Sequence, residues 1–277
     1  MKYVLTDQTI RYNGRTLYRI KALKDFSDVA KDELGGFVES YDNLSQYNNC
    51  WIYNNAKVFG NAEVFGNAEV FGNAKVFGNA KVYGNAEVFG NAEVFGNAEV
   101  YGNAEVFGNA KVYGNAKVYG NAEVYDNAEV YDNAEVFGDA VVFGDAVVYE
   151  QAQIYGIALI RGEAQIYGSA EVYDKAKVFD NAEVFGEAQI CANTIVCSDI
   201  KISNTNDILF INLARYITFY RCEDDIRCTI GCQRAITIEE FKERVYENGN
   251  YTEVTLPKHR KDYLLAIEFA KKYFRVD

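Results

Sequence analysis

The sequence predicts an all-β solenoid closed by a small cap at each end. Three observations carry that expectation. Residues 58–75 read VFGNAEVFGNAEVFGNAK, and this six-residue unit runs without insertion through 23 copies from Ile52 to Gln189. Its first position is always Val or Ile, and its fifth is always Ala. Its second position is Phe or Tyr in 22 of the 23 copies, Arg161 being the exception, and this explains totals of 22 Tyr and 18 Phe. Self-similarity at a fixed period marks repeat architectures, in which each unit buries its apolar face against its neighbours.

Residues 1–33 read as an N-terminal β-hairpin cap. Ile10-Arg11-Tyr12 and Thr16-Leu17-Tyr18 flank Asn13-Gly14, and Asn-Gly between alternating apolar runs is a strong hairpin signal. A solenoid needs such a cap, because an open sheet edge invites end-to-end growth.

Residues 34–202 read as the solenoid. A helix cannot keep the pattern. Six residues do not match its 3.6-residue period, and recurrent Gly would destabilise it. Strand parity does fit: in Ala-Glu-Val-Phe, Ala and Val point one way while Glu and the ring point the other. The charged side must face water, since unpaired buried charge is costly. Val and Ala are therefore expected to fill the core, with the rings outside. Gly-Asn makes the corner, Gly supplying a left-handed conformation and Asn or Asp being the next best residue there.

This pattern of aliphatic and small residues, carried by Val58, Val64 and Val70 with Ala62, Ala68 and Ala74, resembles the hexapeptide repeat of left-handed parallel β-helices. The resemblance covers about 60% of the chain. It implies a left-handed, three-sided coil of 18 residues, although parallel crossovers elsewhere are right-handed. The frame extends to Leu34, with Val38, Leu44 and Cys50 in the small position, and downstream through Ile190, Thr194, Val196, Ile200 and Ile202. About nine coils follow, or a rod on the order of 45 Å at the sheet spacing. The whole layout, with MKYVLTDQTI, ALKDF, LGGF and TIEEF around the repeat, resembles hexapeptide-repeat proteins of bacteria and their phages or prophages.

Residues 203–277 abandon the hexad and read as a small α+β capping domain. Leu209 to Tyr220 is apolar and β-rich, and Ile226 to Ile230 can pair with it across Glu223-Asp224-Asp225. Thr237 and Glu240 have capping-box spacing, and that helix is expected to run through Phe241 and Val245 to a stop near Asn248-Gly249. Pro257 precedes a second helix with Tyr263, Ala266, Ile267, Ala270 and Phe274 on one side.

The net charge is -12, and it belongs to the repeat: Ile52 to Lys201 holds 9 basic and 21 acidic residues, while the remainder holds 19 of each. A negative surface argues against direct binding of nucleic acid. No run reaches the length of a membrane span, and no signal peptide is visible, so the expected location is cytoplasmic. The six Cys are then expected as free thiols.

With coils of 18 residues, positions 18 apart stack. One aromatic ladder is Phe59, Phe77, Phe95, Tyr113, Tyr131, Tyr149 and Tyr167, followed by Phe185. Glu69, Glu87, Glu105 and Glu123 form a like-charge column, whereas Lys57, Lys75, Glu93, Lys111 and Glu129 form a mixed one. The apolar sixth positions Val141 and Leu159 share a face, with Val147 on another.

The expected function is a non-catalytic rigid scaffold or protein-binding module, a phage accessory protein, needing no cofactor. The aromatic ladder and the Glu column are its candidate surfaces, for a protein partner or for self-association into a homo-oligomer. Three alternatives stand beside it. An acidic rod can mimic nucleic acid and occupy a DNA-binding protein, and a Tyr-rich face can bind carbohydrate. The third is acyl transfer, which many left-handed β-helices perform with a His base. The only histidine here is His259, outside the solenoid, and a general base must reach its proton. Cys222, Cys228, Cys232 and His259 are weak candidates for a zinc site, since zinc takes such ligands but the spacing lacks paired CxxC knuckles. An uninterrupted rod is expected to offer no cleft.

Overall fold

The computed structural model describes residues 1–222, 225–231, 233–246 and 257–276, the side chain of His259 excepted. The chain opens with β1 (Tyr3–Tyr12) and β2 (Arg15–Ala22), paired antiparallel. Asn13 and Gly14 both take positive φ, 46° and 77°, which is the twist a two-residue hairpin turn requires. Next, β3 (Leu34–Val38) pairs antiparallel with β2 and parallel with Lys57–Val58. The hairpin therefore extends one wall of the solenoid and covers that edge.

From β4 (Trp51–Ile52) to β29 (Lys201–Ile202) a two-residue strand recurs every six residues. Each pairs in parallel with the strand one coil away, so Val94 lies between Val76 and Val112. The result is a β-solenoid of about nine turns with three sheets as its walls. Every Val, Ile and Ala at the first and fifth positions of the 23 copies is buried. They fill the axis, as strand parity demands.

The corners have a second layer of order. The third position takes positive φ, 72° at Gly96 and 59° at Asp126. A Cβ on Gly96 would sit 3.0 Å from the backbone N and O of Gly114, so a side chain there is both strained and crowded. At the fourth position, the Asn97 amide N–H donates to the Gly114 carbonyl at 2.7 Å, and its side-chain Nδ2 donates to Asn115 Oδ1 at 2.9 Å. Such amide ladders run up all three corners, ending at Asp139 and Asp145 on two of them.

The first coil departs from the expected frame. Val38 pairs with Val58 and Leu44 with Val64, 20 residues on, whereas Ile52 pairs with Val70, 18 residues on. Val38 and Leu44 thus occupy the aliphatic position, not the small one. Two extra residues widen the corner between Ser45 and Cys50. Lys2, only 1% exposed, sits inside this corner. Its Nζ donates to Cys50 O at 2.7 Å and lies 3.4 Å from Tyr47 O and Asn48 O, while its backbone N donates to Gln46 Oε1 at 2.7 Å. An N-terminal ammonium side chain thereby satisfies carbonyls that the irregular corner leaves without ladder partners.

At the other end, β30 (Ile208–Asn212), β31 (Tyr216–Arg221), β32 (Ile226–Ile230) and β33 (Gln233–Thr237) form an antiparallel sheet in sequence order. The apolar run from Leu209 to Tyr220 is thus two strands, and β33 is an addition to the expected elements. Helices α1 (Ile238–Tyr246) and α2 (Lys258–Phe274) follow. The capping box forms as expected: Thr237 N donates to Glu240 Oε2 at 2.9 Å, and Glu240 N to Thr237 Oγ1 at 3.1 Å. The expected stop near Asn248-Gly249 lies outside the described residues.

This sheet is the plug. Ile195 N donates to Thr218 Oγ1 at 3.2 Å, and Tyr220 OH donates to Ile195 O. Gln189 N donates to Thr205 Oγ1 at 3.0 Å. Side-chain hydroxyls thus take over hydrogen bonds that a further coil would have made. The opposite sheet face, Ile217, Phe219, Cys228 and Ile230, packs with Phe241, Val245, Ile267 and Phe274 in a separate apolar cluster. The helices therefore lie on the side of the sheet away from the solenoid. Among the described residues, no helix is long and apolar enough to cross a membrane.

Candidate interaction surface

Each wall carries a charge column, from the sixth positions, beside a ring ladder, from the second positions. The coil repeat sets the ring spacing. Along Phe59 to Phe185, centroids are 4.8–5.1 Å apart and rings lie within 15° of parallel. Each ring shields its neighbours, so the rings are half-buried on the outside of the rod. Phe59 is an exception at 4% exposed, because Leu17 and Phe37 cover it and Tyr12 meets its ring at 5.5 Å. The open part of this ladder begins beyond it.

On the first wall, the mixed column is internally paired beyond Lys57, which stands opposite Lys75. Lys75 bonds Glu93 at 2.6 Å and Lys111 bonds Glu129 at 2.7 Å. Phenols add to this, Tyr113 OH donating to Glu129 at 3.0 Å and Tyr167 OH to Glu183 at 3.3 Å. The second wall repeats the device. Lys117 meets Glu135 at 3.3 Å, and Tyr83, Tyr119 and Tyr155 donate to Glu99, Glu135 and Glu171 at 2.8–3.0 Å. Burial, and then the accepting carboxylate, raises these phenols above the usual tyrosine range.

The third wall is different. Glu69, Glu87, Glu105 and Glu123 stand directly opposite one another in register. The rings that lie between them are Phe71, Phe89 and Phe107, which have no hydroxyl to donate, stacked at 4.7 Å. Glu69 also lies 3.5 Å from Tyr53 OH, which is committed to Asp28 at 2.7 Å. Burial, then Asp28 and Glu87, raises the Glu69 carboxyl; burial, then Glu87 and Glu123, raises Glu105. Beyond Glu123 the column turns apolar with Val141 and Leu159, then reaches Lys177. The candidate aromatic ladder and the candidate Glu column thus lie on different walls.

Three further features escape the hexad reading. The Asn ladders are one, although a polar residue repeated every 18 positions is their visible signal. Another is a clamp at the C-terminal plug: Arg161, the break in the aromatic pattern, sits 4.8 Å from the Phe179 ring centre, and Arg234 sits 4.5 Å from it. Two cations on one ring tie the cap to the rod. The third is a groove of about 880 Å³ beside the hairpin, lined by Arg15, Glu39, Asp42, Asn61, Phe77 and Asn79, where a smooth rod was expected. Two of its charges are already committed. Arg15 bonds Glu39 at 2.7 Å, and Glu39 Oε2 accepts from Gly60 N at 2.8 Å.

Among the described residues, the candidate cysteines do not converge. Cys222 packs against the solenoid core, whereas Cys228 packs on the helix side of the sheet. Burial raises both thiols, that of Cys228 to about 12, which disfavours the thiolate a metal needs. Cys232 and the His259 side chain lie outside the described residues, among which no group of three metal-ligating side chains occurs.

The fold and its surface define a capped β-solenoid that displays side chains at fixed spacing on three walls. No family model matches the chain, and no curated protein matches it in sequence.

Proposed function

We propose that the chain is a rigid, non-catalytic protein-binding scaffold of the hexapeptide-repeat, left-handed β-helix class, serving as a bacterial or phage accessory protein. The observation that carries this reading is the third wall, where Glu69, Glu87, Glu105 and Glu123 stack without Lys or Tyr between them. Like charges directly opposite weaken a sheet. Lys and Tyr at equivalent places on the other walls relieve that cost. A surface selected for folding alone has no use for the exception. A basic protein segment supplies the missing counter-charge, and Val141, Phe143 and Leu159 give it an apolar anchor at the far end. Complementary charge speeds encounter and fixes register, and a rigid rod loses little entropy on binding.

The spacing favours a protein partner over nucleic-acid mimicry. The column repeats with its flanking rings, 4.7 Å apart at Phe89–Phe107, against about 3.4 Å of helix axis per phosphate of one DNA strand.

The test is affinity capture from extracts of the cells that make the protein, using wild type, Glu87→Lys/Glu105→Lys, and a second-wall control, Gln153→Lys. The expected result is a basic protein that wild type and the control retain, that the double variant loses, and that high salt releases. Equal capture by all three chains, or none, overturns the assignment of this wall. Incubation with acetyl-coenzyme A and amine acceptors is expected to release no thiol; release abolished by His259→Ala overturns the non-catalytic reading.

A further inference from the structure

The geometry points to a homodimer through α2 and the edge of β30, with a second copy of this chain as the occupant of an apolar step on the C-terminal cap. The inference stands apart from the function proposed for the third wall.

One side of α2, with Ala266, Ile267, Ala270 and Phe274, is buried against the sheet. A second stripe on its flank is not. Leu265 is 67% exposed and Phe269 is 54% exposed. These are the two most exposed large apolar side chains among the described residues of the cap, and Leu265 and Phe269 lie alongside Leu209, Ile211 and Leu213 in one open groove. The groove borders β30, the outermost strand of its sheet, whose free edge has no strand beside it among the described residues. A free edge is a template for another strand. The step therefore offers backbone pairing above and apolar side chains below.

What fits it is written on α2 itself. Asp262, Leu265, Phe269 and Lys272 follow a spacing of three, four and three residues, so they share one stripe of the helix. The stripe is acidic at its start, apolar in the middle and basic at its end. Laid antiparallel on a copy of itself, it sets Leu265 against Phe269 and Asp262 against Lys272, and the same two contacts recur across the two-fold axis. A two-fold interface requires this self-complementarity: if one residue meets another, the reverse contact must also be good. A parallel alignment would instead set Asp262 on Asp262 and Lys272 on Lys272. The β30 edges of the two copies can then meet antiparallel, which is the direction a two-fold axis imposes. The cap sheet lies between α2 and the last coil, so both rods leave the joined sheet on the face opposite the paired helices and run side by side. A dimer of this kind would present two third walls at once and raise the avidity for a repeated partner.

The test uses the full chain and charge exchange. Sedimentation equilibrium is expected to show wild type at twice the monomer mass. Asp262→Lys alone puts an ammonium opposite Lys272 of the second copy, and Lys272→Asp alone puts a carboxylate opposite its Asp262. Each single variant is expected to raise the dimer dissociation constant by roughly tenfold or more, since like-charge juxtaposition opposes association. Mixing the two single variants restores complementarity and is expected to restore the dimer, as is the double exchange within one chain. All four side chains lie on the outer flank of α2, so circular dichroism should be unchanged; as a further check, Leu265→Ser is expected to give a folded monomer. Wild type sedimenting as a monomer up to about 0.1 mM, a concentration at which even weak dimers form, overturns the proposal. So do single variants that remain dimeric, or a mixture that fails to reassociate.

Discussion

The same substitution should have opposite signs on two walls of this rod. Glu87 stands between Glu69 and Glu105, whereas Glu93 stands between Lys75 and Lys111. The perturbation is Glu→Gln, which keeps shape and removes charge. Two unit charges one coil apart interact by about 0.9 kcal/mol in bulk water and more near a protein surface. Measured cross-strand pairs bring that to about 0.2–1 kcal/mol each. Glu87 has two like-charged neighbours, so Glu87→Gln should stabilise by roughly 0.5–2 kcal/mol at low ionic strength. Glu93 loses its 2.6 Å bond to Lys75 and its attraction to Lys111, so Glu93→Gln should destabilise by about 0.5–1.5 kcal/mol. Urea midpoints at pH 7 in low salt read both. The pH dependence has a definite sign. Glu69 and Glu105 are raised in the folded state, so the folded protein holds those protons more tightly than the unfolded chain. Stability from this column is present at low pH and is lost as pH rises through the folded carboxyl range. The advantage of Glu87→Gln should therefore shrink on acidification and in high salt. Midpoints that move in the same direction for both variants would refute the reasoning.

Two further outcomes test the inside-outside assignment and the N-terminal plug. Val94→Asp puts a carboxylate into a fully buried site between Val76 and Val112 and should cost on the order of 4 kcal/mol or more. Phe95→Ser removes stacks at 4.9 and 4.8 Å and should cost about 1–3 kcal/mol; equal losses by denaturant melt would contradict the core assignment. Gly36→Ala should cost about 1–3 kcal/mol by overpacking, because its Cβ would lie 2.5 Å from Ile52 Cγ2 and 2.6 Å from Ala56 O. Hydrogen exchange should then speed up first in β1 to β3.

The hexad makes the solenoid legible because each of its positions has one physical duty. Alternation puts Val and Ala inward, charge forces the other side outward, and Gly marks the left-handed corner. The first coil is less legible. Val38 and Leu44 remain six residues apart, so a counted frame carries them smoothly past the two residues added between Ser45 and Cys50. The change of register between Leu44 and Ile52 shows where the frame slips, and Lys2 sits among the carbonyls of that corner. In the cap, the hydrophobic run from Leu209 to Tyr220 hides a turn at Leu213–Arg215, because no Gly or Pro marks it. Arg161 reads as a defect in the pattern until Phe179 and Arg234 are seen stacked against it.

The candidate surface was legible only in part, for a reason that concerns repeats in general. A hexad is the unit of folding, but a coil is the unit of the surface, so neighbours in space are 18 residues apart. Glu63, Glu69, Glu87 and Glu93 look equivalent along the chain. In the rod, Glu63 faces Lys81, Glu93 faces two lysines, and Glu87 faces two carboxylates. Whether the adjoining ring is Phe or Tyr then decides if a phenol reaches the carboxylate, as Tyr83 does for Glu99 and Phe71 cannot do for Glu87. Ring type and charge sign, both trivial to a fold that needs only Val, Ala and Gly, are thus free to carry a message to a partner. On two walls they largely cancel within the rod, Lys57 opposite Lys75 excepted; on the third they do not, and that uncancelled column is the surface proposed for a partner.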